Sequence, residues 1–577
     1  MKKLLLTALV IGLTTFASAQ NLQWAQSITN LNQPDQVLDF DTNGQDRMAL
    51  LGQATAGSNI ALLDNATEVI SSTLYFVAVY NDQAEMQWSA PTVGYPYVVL
   101  MNDAGEVFVV GGSVGVQDFD PSTEVQNVDL GAGALYVQKL SPTGDLIWVG
   151  TSSLATNATA VCQADDGRIF VSGAYSVPAT IQLADGTSVE MTRGADILEF
   201  STTGALVGCY SLDVPNQIDY INVSDMACVN NQLVVVGDLD GVCDFDPMSG
   251  ISNNQETAEY DGYIVSYDVT ESCMLQWRKV FRGNSWNYCH AVRMDDDNTI
   301  YIGGNCTFTT DYDYEATPGT WTLFSDGNTN LQSAFVAKLS SQGEFQWLKK
   351  VGADNESLDV GSIWTRDLEL KDGGLVALIE GYGSIYMDGT TTSTPVVLGG
   401  VAAPGYMVAE FDLSGTFESV AKADTTGVGV ASFCGVFPKR LETLNSNRFV
   451  VAGNFMQFIN FGTQQNPVVL SNDQTSPNYG FDRDIFVACY IGSSGLNTEG
   501  VVSIAASSKL VNPMRDELIV LAQAHDISRV AIYTLEGKSV AIGQSNRLDV
   551  RGLPNGIYMV ELRMNDGTVS YTRVVKD

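Results

Sequence analysis

Glu106-Val107-Phe108-Val109-Val110-Gly111 is a turn residue, four apolar residues and a glycine, and the chain repeats this phrase. Arg47-Met48-Ala49-Leu50-Leu51-Gly52 precedes it. Arg168-Ile169-Phe170-Val171-Ser172-Gly173, Gln232-Leu233-Val234-Val235-Val236-Gly237, Thr299-Ile300-Tyr301-Ile302-Gly303-Gly304 and Arg448-Phe449-Val450-Val451-Ala452-Gly453 follow, with a looser copy from Leu375 to Gly381. Gly52 to Gly453 is 401 residues in six intervals, about 67 each. A second phrase keeps step with the first: Phe76-Val77-Ala78-Val79-Tyr80, Tyr136-Val137-Gln138-Lys139-Leu140, Phe335-Val336-Ala337-Lys338-Leu339 and Phe486-Val487-Ala488-Cys489-Tyr490, with counterparts at Ile197, Tyr263 and Met407. Most are followed by a glycine turn and a tryptophan strand, as in Ser141-Pro142-Thr143-Gly144-Asp145-Leu146-Ile147-Trp148. Trp88, Trp277 and Trp347 fill the same slot, whereas repeats three and six lack it and carry Cys209 and Ser419 nearby.

Each repeat supplies about four short strands, which suits one blade of a β-propeller. The seventh has no tryptophan strand after Gly495, but Asn21-Leu22-Gln23-Trp24-Ala25 offers one at the other end of the chain. The expected fold is therefore all-β: a seven-bladed propeller over 20–500 whose N-terminal strand closes the last blade and satisfies its open edge. A β-helix or other solenoid is the alternative that such repeats allow. The repeats resemble the bacterial β-propeller repeats of the SBBP type.

Composition agrees with strands and turns. The 577 residues include 54 glycines, and 45% are hydrophobic, ample for a packed core. Length alone would suggest about four domains, whereas the repeats join most of the chain into one. The 66 acidic residues against 29 basic ones give a net charge of −37, which argues against nucleic-acid or anionic-membrane binding. With only His290 and His525, a histidine-rich metal centre is excluded and Ser-His or Cys-His catalysis has almost no material.

The ends of the chain carry addresses. Lys2 and Lys3, the apolar run Leu4 to Leu13 and Ala17-Ser18-Ala19 form an export signal over 1–19, with cleavage expected between Ala19 and Gln20. No later stretch has the length of a membrane-spanning helix. Residues 505–577 read as a small antiparallel sandwich, with turn signals at Glu536-Gly537, Asn555-Gly556 and Asp566-Gly567. Its ordered motifs are Asn512-Pro513 with Asp516 and Leu518, Tyr533 with Gly537-Lys538, Leu553-Pro554 with Gly556 and Tyr558, and a basic last strand. This series closely resembles the type A C-terminal sorting domain of type IX secretion cargo. The resemblance implies outer-membrane translocation in a Bacteroidota-type bacterium, the secretion machinery as partner, and release or attachment at the cell surface. Residues 501–577 hold 9 basic and 8 acidic residues, so the acidity belongs to the propeller, with 18 basic and 58 acidic residues over 20–500.

Three acidic phrases follow glycine strands: Asp118-Phe119-Asp120-Pro121, Asp244-Phe245-Asp246-Pro247 and Asp311-Tyr312-Asp313, with Asp238 and Asp240 just ahead of the second. In an extended chain the two carboxylates share a face and could offer oxygens to calcium. The competing reading is a strand end with solvated carboxylates and a core aromatic. Asp165-Asp166-Gly167 and Asp295-Asp296-Asp297-Asn298 read as tight turns. The Ser-x-x-Gly-x-x-x-Trp phrase superficially resembles the Asp-box of sialidase propellers but lacks its aspartate, so it gives no support to hydrolysis. His290 reads as a packed strand or loop histidine. Nine cysteines, none in a C-x-x-C pair, are consistent with disulfides in an exported chain or with buried apolar fillers.

No catalytic residue and no cofactor other than calcium is expected. The reading is a secreted or cell-surface, non-enzymatic binding or scaffold module with an extracellular protein or glycan as ligand. The alternatives are a propeller glycosidase or lyase and a structural or adhesive surface-layer component.

Overall fold

The computed structural model describes residues 22–28, 34–62 and, apart from short inter-strand loops, 69–492, then 517–519, 527–534, 538–544, 547–564 and 569–576. The export signal, the Ala19–Gln20 junction, Asn512, Pro513, Asp516 and Gly537 lie outside these residues. The chain divides into two units, Met1–Ser494 and Gly495–Asp577.

The first unit is a β-propeller built of antiparallel up-and-down meanders. In the first sheet Gln36–Thr42, Arg47–Ala54, Leu74–Asn81 and Met86–Pro91 lie in chain order. The lead strands of the sheets that follow are Tyr95–Met101, Asn157–Gln163, Tyr220–Val229, Tyr288–Met294, Trp364–Lys371 and Gly435–Asn445. Each lead strand touches the next, and Gly435–Asn445 touches Gln36–Thr42. The sheet led by Gly435–Asn445 takes its outermost strand from the other end of the chain: Leu22–Ile28 pairs with Asp484–Ile491, with Trp24 beside Cys489. A further four-stranded sheet lies in the second unit, so the described residues hold eight sheets of four or more strands, six of four and two of six, where the repeats suggested seven blades.

The recurring glycine and aromatic are one device. Gly52 pairs with Phe76, Gly111 with Tyr136, Gly237 with Tyr263, Gly304 with Phe335 and Gly453 with Phe486. A Cβ on Gly111 would stand 2.6 Å from Tyr136 Cζ, and one on Gly453 would stand 2.8 Å from a ring carbon of Phe486. The missing side chain is the room the ring occupies. In the sixth sheet the pair is Ile379 and Met407, so ring and glycine vanish together. In the third, Gly173 faces Asp196.

The tryptophans clamp one sheet to the next. Trp88, Trp148, Trp277 and Trp347 lie against Gly144, Gly204, Gly343 and Gly415 in the next sheet's outer turn. Their indole N–H groups donate to Pro142, Thr202, Ser341 and Leu413 carbonyls at 2.9–3.1 Å. Those glycines have φ between +77° and +88°, the left-handed region that glycine tolerates. At the seam, Trp24 packs in a cluster with Ala84, which holds φ +63°. The cross-strand register puts Gly208 and Ser419 in the tryptophan slot of repeats three and six. Ionic groups stand in nearby: Arg168 bonds Glu199 at 2.7 Å and reaches the Val269 carbonyl of the next sheet at 2.9 Å.

Eight cysteines are buried, and burial pushes the thiol pKa values of Cys209, Cys228 and Cys489 up; Cys434 lies outside the described residues. In the second unit Ser539–Gly543, Ile527–Tyr533, Gly556–Met564 and Val569–Lys576 form a sheet, and Glu517–Ile519 pairs with Arg547–Asp549. Leu518, Ile532, Val550, Tyr558 and Val560 share its core, so the two layers make a small sandwich. Tyr558 is locked by its hydroxyl donating to Pro554 O at 2.8 Å. Leu553 packs at the core's edge, and Lys538 is exposed.

Candidate functional site: the mouth of the central channel

Every lead strand contains a β-bulge at the same height, and Gly435–Asn445 has a second between Thr443 and Asn445. The register slips between Val37 and Asp39, Pro96 and Val98, Ala158 and Ala160, Val223 and Asp225, Cys289 and Ala291, Thr365 and Asp367, and Pro438 and Arg440. A bulge inserts one unpaired residue and re-aims its side chain. The seven inserted residues are Leu38, Tyr97, Thr159, Ser224, His290, Arg366 and Lys439, and all of them line one cavity of about 510 Å³. Because strands alternate in direction, this end of the channel also carries the entries to the lead strands and the long loops joining second to third strands.

The next residues down the channel form a charged layer. Asp39, Asp225 and Asp367 accept backbone N–H groups of the neighbouring lead strand: Val99, Val292 and Leu441, each at 3.0 Å. Each carboxylate thus ties its sheet to the next. Arg293 gathers Asp225 and Asp367 at 2.9 Å, Glu369 at 2.5 Å and Glu442 at 3.7 Å. Arg440 pairs with Asp39 at 2.6 Å across the seam between last and first sheets. Burial, partly offset by Arg293, pushes Asp225 and Glu369 upward, and Glu442 rises through burial and its acidic neighbours. Burial raises Asp41 to about 7, against hydrogen bonds from Met101 and Thr42. Beyond this layer a second cavity, about 590 Å³, opens at the end with the tight turns and is lined by Asp41, Asp103, Asp165 and Glu442.

The mouth itself is cationic and aromatic. Arg366 pairs with Glu380 at 2.6 Å and stacks over Trp364, 4.8 Å from guanidinium to ring centroid. His290 Nε2 lies 2.6 Å from Asn305 Oδ1, and its ring stacks on Tyr288 at 5.8 Å and 9°. Burial, reinforced by Arg366, lowers its pKa to about 4, so the imidazole is neutral at physiological pH. Lys439 has no ion-pair partner among the described residues. Its side chain is solvent-accessible yet ringed by protein, as a channel-lining group must be. That enclosure, with Arg440 beside it, holds its pKa below the usual lysine value, against the pull of Asp39.

The acidic phrases lie elsewhere, in the loops after the second strands. Asp118 Oδ1 accepts Asp120 N at 3.1 Å and Gln126 N at 2.9 Å. Asp244 accepts Asp246 N at 3.1 Å, and Asp246 accepts Met248 N at 3.0 Å. Asp311 accepts Asp313 N at 3.2 Å and Gly319 N at 2.7 Å. Asp313 pairs with Lys279. Asn460 Oδ1 accepts Gly462 N and Val468 N at 2.8 and 3.1 Å, the same offsets made by a neutral amide. The aromatics between them, Phe119, Phe245 and Tyr312, are buried in inter-sheet clusters. Asp238 is bonded to Asn222 at 3.2 Å and raised to about 6 by burial, and Asp240 ends the strand Gln232–Asp240. Among the described residues no three histidine, cysteine or carboxylate side chains are grouped as a metal site. Asp165-Asp166-Gly167 and Asp295 to Asn298 do form tight turns, closed by Gly167 N to Ala164 O and Asn298 N to Asp295 O.

Tyr97, Arg366 and Lys439 were not singled out from the sequence, and His290 is packed in its strand as expected. Their signal was available: basic residues are scarce in the propeller, yet Arg293, Arg366, Lys439 and Arg440 all fall on lead strands.

No curated protein matches the chain by sequence. Among solved structures, an ulvan lyase representing a new family of polysaccharide lyase is similar at 10% identity and TM-score 0.38, over 78% of this chain and 97% of its own. A protein of unknown function from Bacteroides caccae is similar at 9% and 0.28, over 57% and 91%. The extracellular domain of a hybrid two component system from B. thetaiotaomicron aligns at 8% and 0.19, over 96% and 99%. The model of the secretion system C-terminal sorting domain matches residues 512–576. Those residues are a type IX C-terminal sorting domain, and the protein that carries them is an exported β-propeller.

Proposed function

We propose that this chain is a secreted or surface-held binding module, exported by the type IX route after removal of residues 1–19, and that its ligand sits in the mouth of the central channel. The observation that carries this is the convergence of all seven bulge residues on one cavity. Bulges re-aim side chains and are over-represented beside active sites, and seven at one height turn seven side chains into one seat. In this reading the sheets led by residues 36–445 form a seven-bladed ring, the N-terminal strand closes it, and the eighth sheet is the sorting domain's own.

Binding without turnover is favoured because both carboxylates of the mouth are committed, Asp39 to Arg440 and Glu380 to Arg366, each at 2.6 Å. A glycosidase needs two carboxyls free to act on substrate. The acidic phrases act as loop caps rather than calcium ligands, because Asn460 does the same work without charge. A second reading, a carbohydrate-active enzyme at the same cavity, rests on the neutral imidazole of His290 and the phenol of Tyr97 in the lining of that cavity.

The test is a glycan and protein array probed with the full chain and with Ser224→Trp, which fills the mouth from a bulge position. Ligands that the wild type retains and Ser224→Trp loses support the reading; retention by both contradicts it. Breakdown of a retained glycan, abolished by His290→Asn, would establish the enzyme instead.

A further inference from the structure

Resting on the channel mouth as ligand seat, the ligand's chemistry follows from charge and rings. The propeller stretch is strongly acidic, yet the mouth reverses the sign. Two of its cations are cancelled locally, Arg440 by Asp39 and Arg366 by Glu380. Lys439 is left over, and Arg483 stacks 4.4 Å above Phe437, a residue of the same cavity wall. Lys439 lines the cavity with no ion-pair partner among the described residues, and a single anionic group from a ligand would make a charge-assisted contact with it.

Aromatic rows lead outward from this point. Tyr97 meets Tyr95 at 5.4 Å, and Tyr95 meets Tyr75 at 5.0 Å. His290 stacks on Tyr288, which stacks on Tyr260 at 6.2 Å, which meets Tyr220 at 5.8 Å. Tyr95 and Tyr220 are among the chain's exposed large apolar side chains, at 49% and 42%. Rings exposed in rows beside neutral hydroxyl and amide groups, here Thr159, Ser224 and Asn222, suit a ligand with flat C–H faces and many hydroxyls. We propose that the mouth binds an acidic saccharide chain, with one uronate carboxylate on the Lys439 ammonium and adjoining sugar rings laid along the Tyr97–Tyr95 row.

Binding should also take up protons. Lys439 feels Arg440, Arg366 and Asp39, and Glu380, His290 and Tyr97 line the same cavity. Enclosure and the guanidiniums lower its pKa in the free protein, and a bound carboxylate raises it again. Affinity therefore falls as the pH rises through the lowered lysine value.

The experiment is calorimetry on the full chain with oligogalacturonate, its methyl ester, and a sulfated galactan oligomer. The expected result is binding of the uronate, with a loss of about 10- to 100-fold on methyl esterification or in Lys439→Met, from removing one charge-assisted contact. Lys439→Arg retains binding and Ser224→Trp abolishes it. The ester binding as well as the acid, Lys439→Met binding as well as wild type, or the sulfated oligomer binding more tightly overturns the uronate assignment. If Ser224→Trp still blocks binding in those cases, the mouth remains the seat and only the ligand class is wrong. If Ser224→Trp leaves binding intact, the seat itself is wrong.

Discussion

Replacing Arg293 with methionine removes the charge that holds four carboxylates while keeping most of the side-chain stem. Asp225, Asp367, Glu369 and Glu442 have side-chain exposures of 10%, 0%, 13% and 14%, so water screens them poorly. Breaking one partner of a buried ion pair costs about 3–5 kcal/mol. The loss is capped because the orphaned carboxylates can protonate. Each such proton costs about 1.4 kcal/mol for every unit by which the pH exceeds an ordinary carboxyl pKa. One proton taken up is thus about 3 kcal/mol cheaper at pH 5 than at pH 7.5. The sign is fixed: carboxyl pKa values raised in the folded state favour it at low pH, and that advantage is lost as the pH rises through them. Arg293→Met should therefore destabilise the propeller by about 4 kcal/mol at pH 7.5 and by about 1 kcal/mol at pH 5. Urea unfolding of wild type and variant at both values, followed by tryptophan fluorescence, measures this. Equal losses at the two pH values, or a variant as stable as wild type at pH 7.5, would refute a charge network that ties the sheets together.

Other consequences are separable. Trp277→Phe keeps the ring but loses the N–H donated to Ser341 O at 2.9 Å, so it should cost about 1 kcal/mol, and Trp277→Ala about 2–4 kcal/mol, in thermal melts. Asp196, raised to about 7 by burial against a hydrogen bond from Gly173, stabilises the fold increasingly as the pH falls from about 7 towards 4. Asp196→Asn should remove up to about 4 kcal/mol of that pH dependence, read from melting temperature against pH. Calcium or a chelator should leave the melting temperature within about 1 °C, because metal binding to the native state alone would raise it. A rise saturating with calcium would restore the Asp118, Asp244 and Asp311 loops as metal sites. Deleting 505–577 should strand the chain in the periplasm, as fractionation and blotting would show; normal surface arrival would refute the export assignment.

The fold was legible because a propeller repeats its solutions. The glycine that makes room for a ring and the tryptophan on the next turn's glycine recur with the sheets, and Trp24 showed which strand the last sheet lacked. The site was not legible for the opposite reason. A bulge is one extra residue in the hydrogen-bond register, and Thr365-Arg366-Asp367 or Cys289-His290-Ala291 reads as ordinary strand until both partners are placed. Acidic pairs drew attention because they recur, and in each phrase a side-chain oxygen accepts backbone N–H groups of its own loop. The mouth lies where the repeats differ: a leucine, a tyrosine, two hydroxyls, a histidine, an arginine and a lysine at equivalent positions. Glu380 and Asn305, which support Arg366 and His290, likewise share a position of the second strand that varies from sheet to sheet.

A crystal structure of the full chain soaked with an oligouronate tests the central claim most directly. The account predicts a sugar in the channel mouth with its carboxylate about 3 Å from Lys439 Nζ and a ring against Tyr97 or Tyr95. A saccharide held only on the outer loops, with the mouth left to water at saturating ligand, would contradict it.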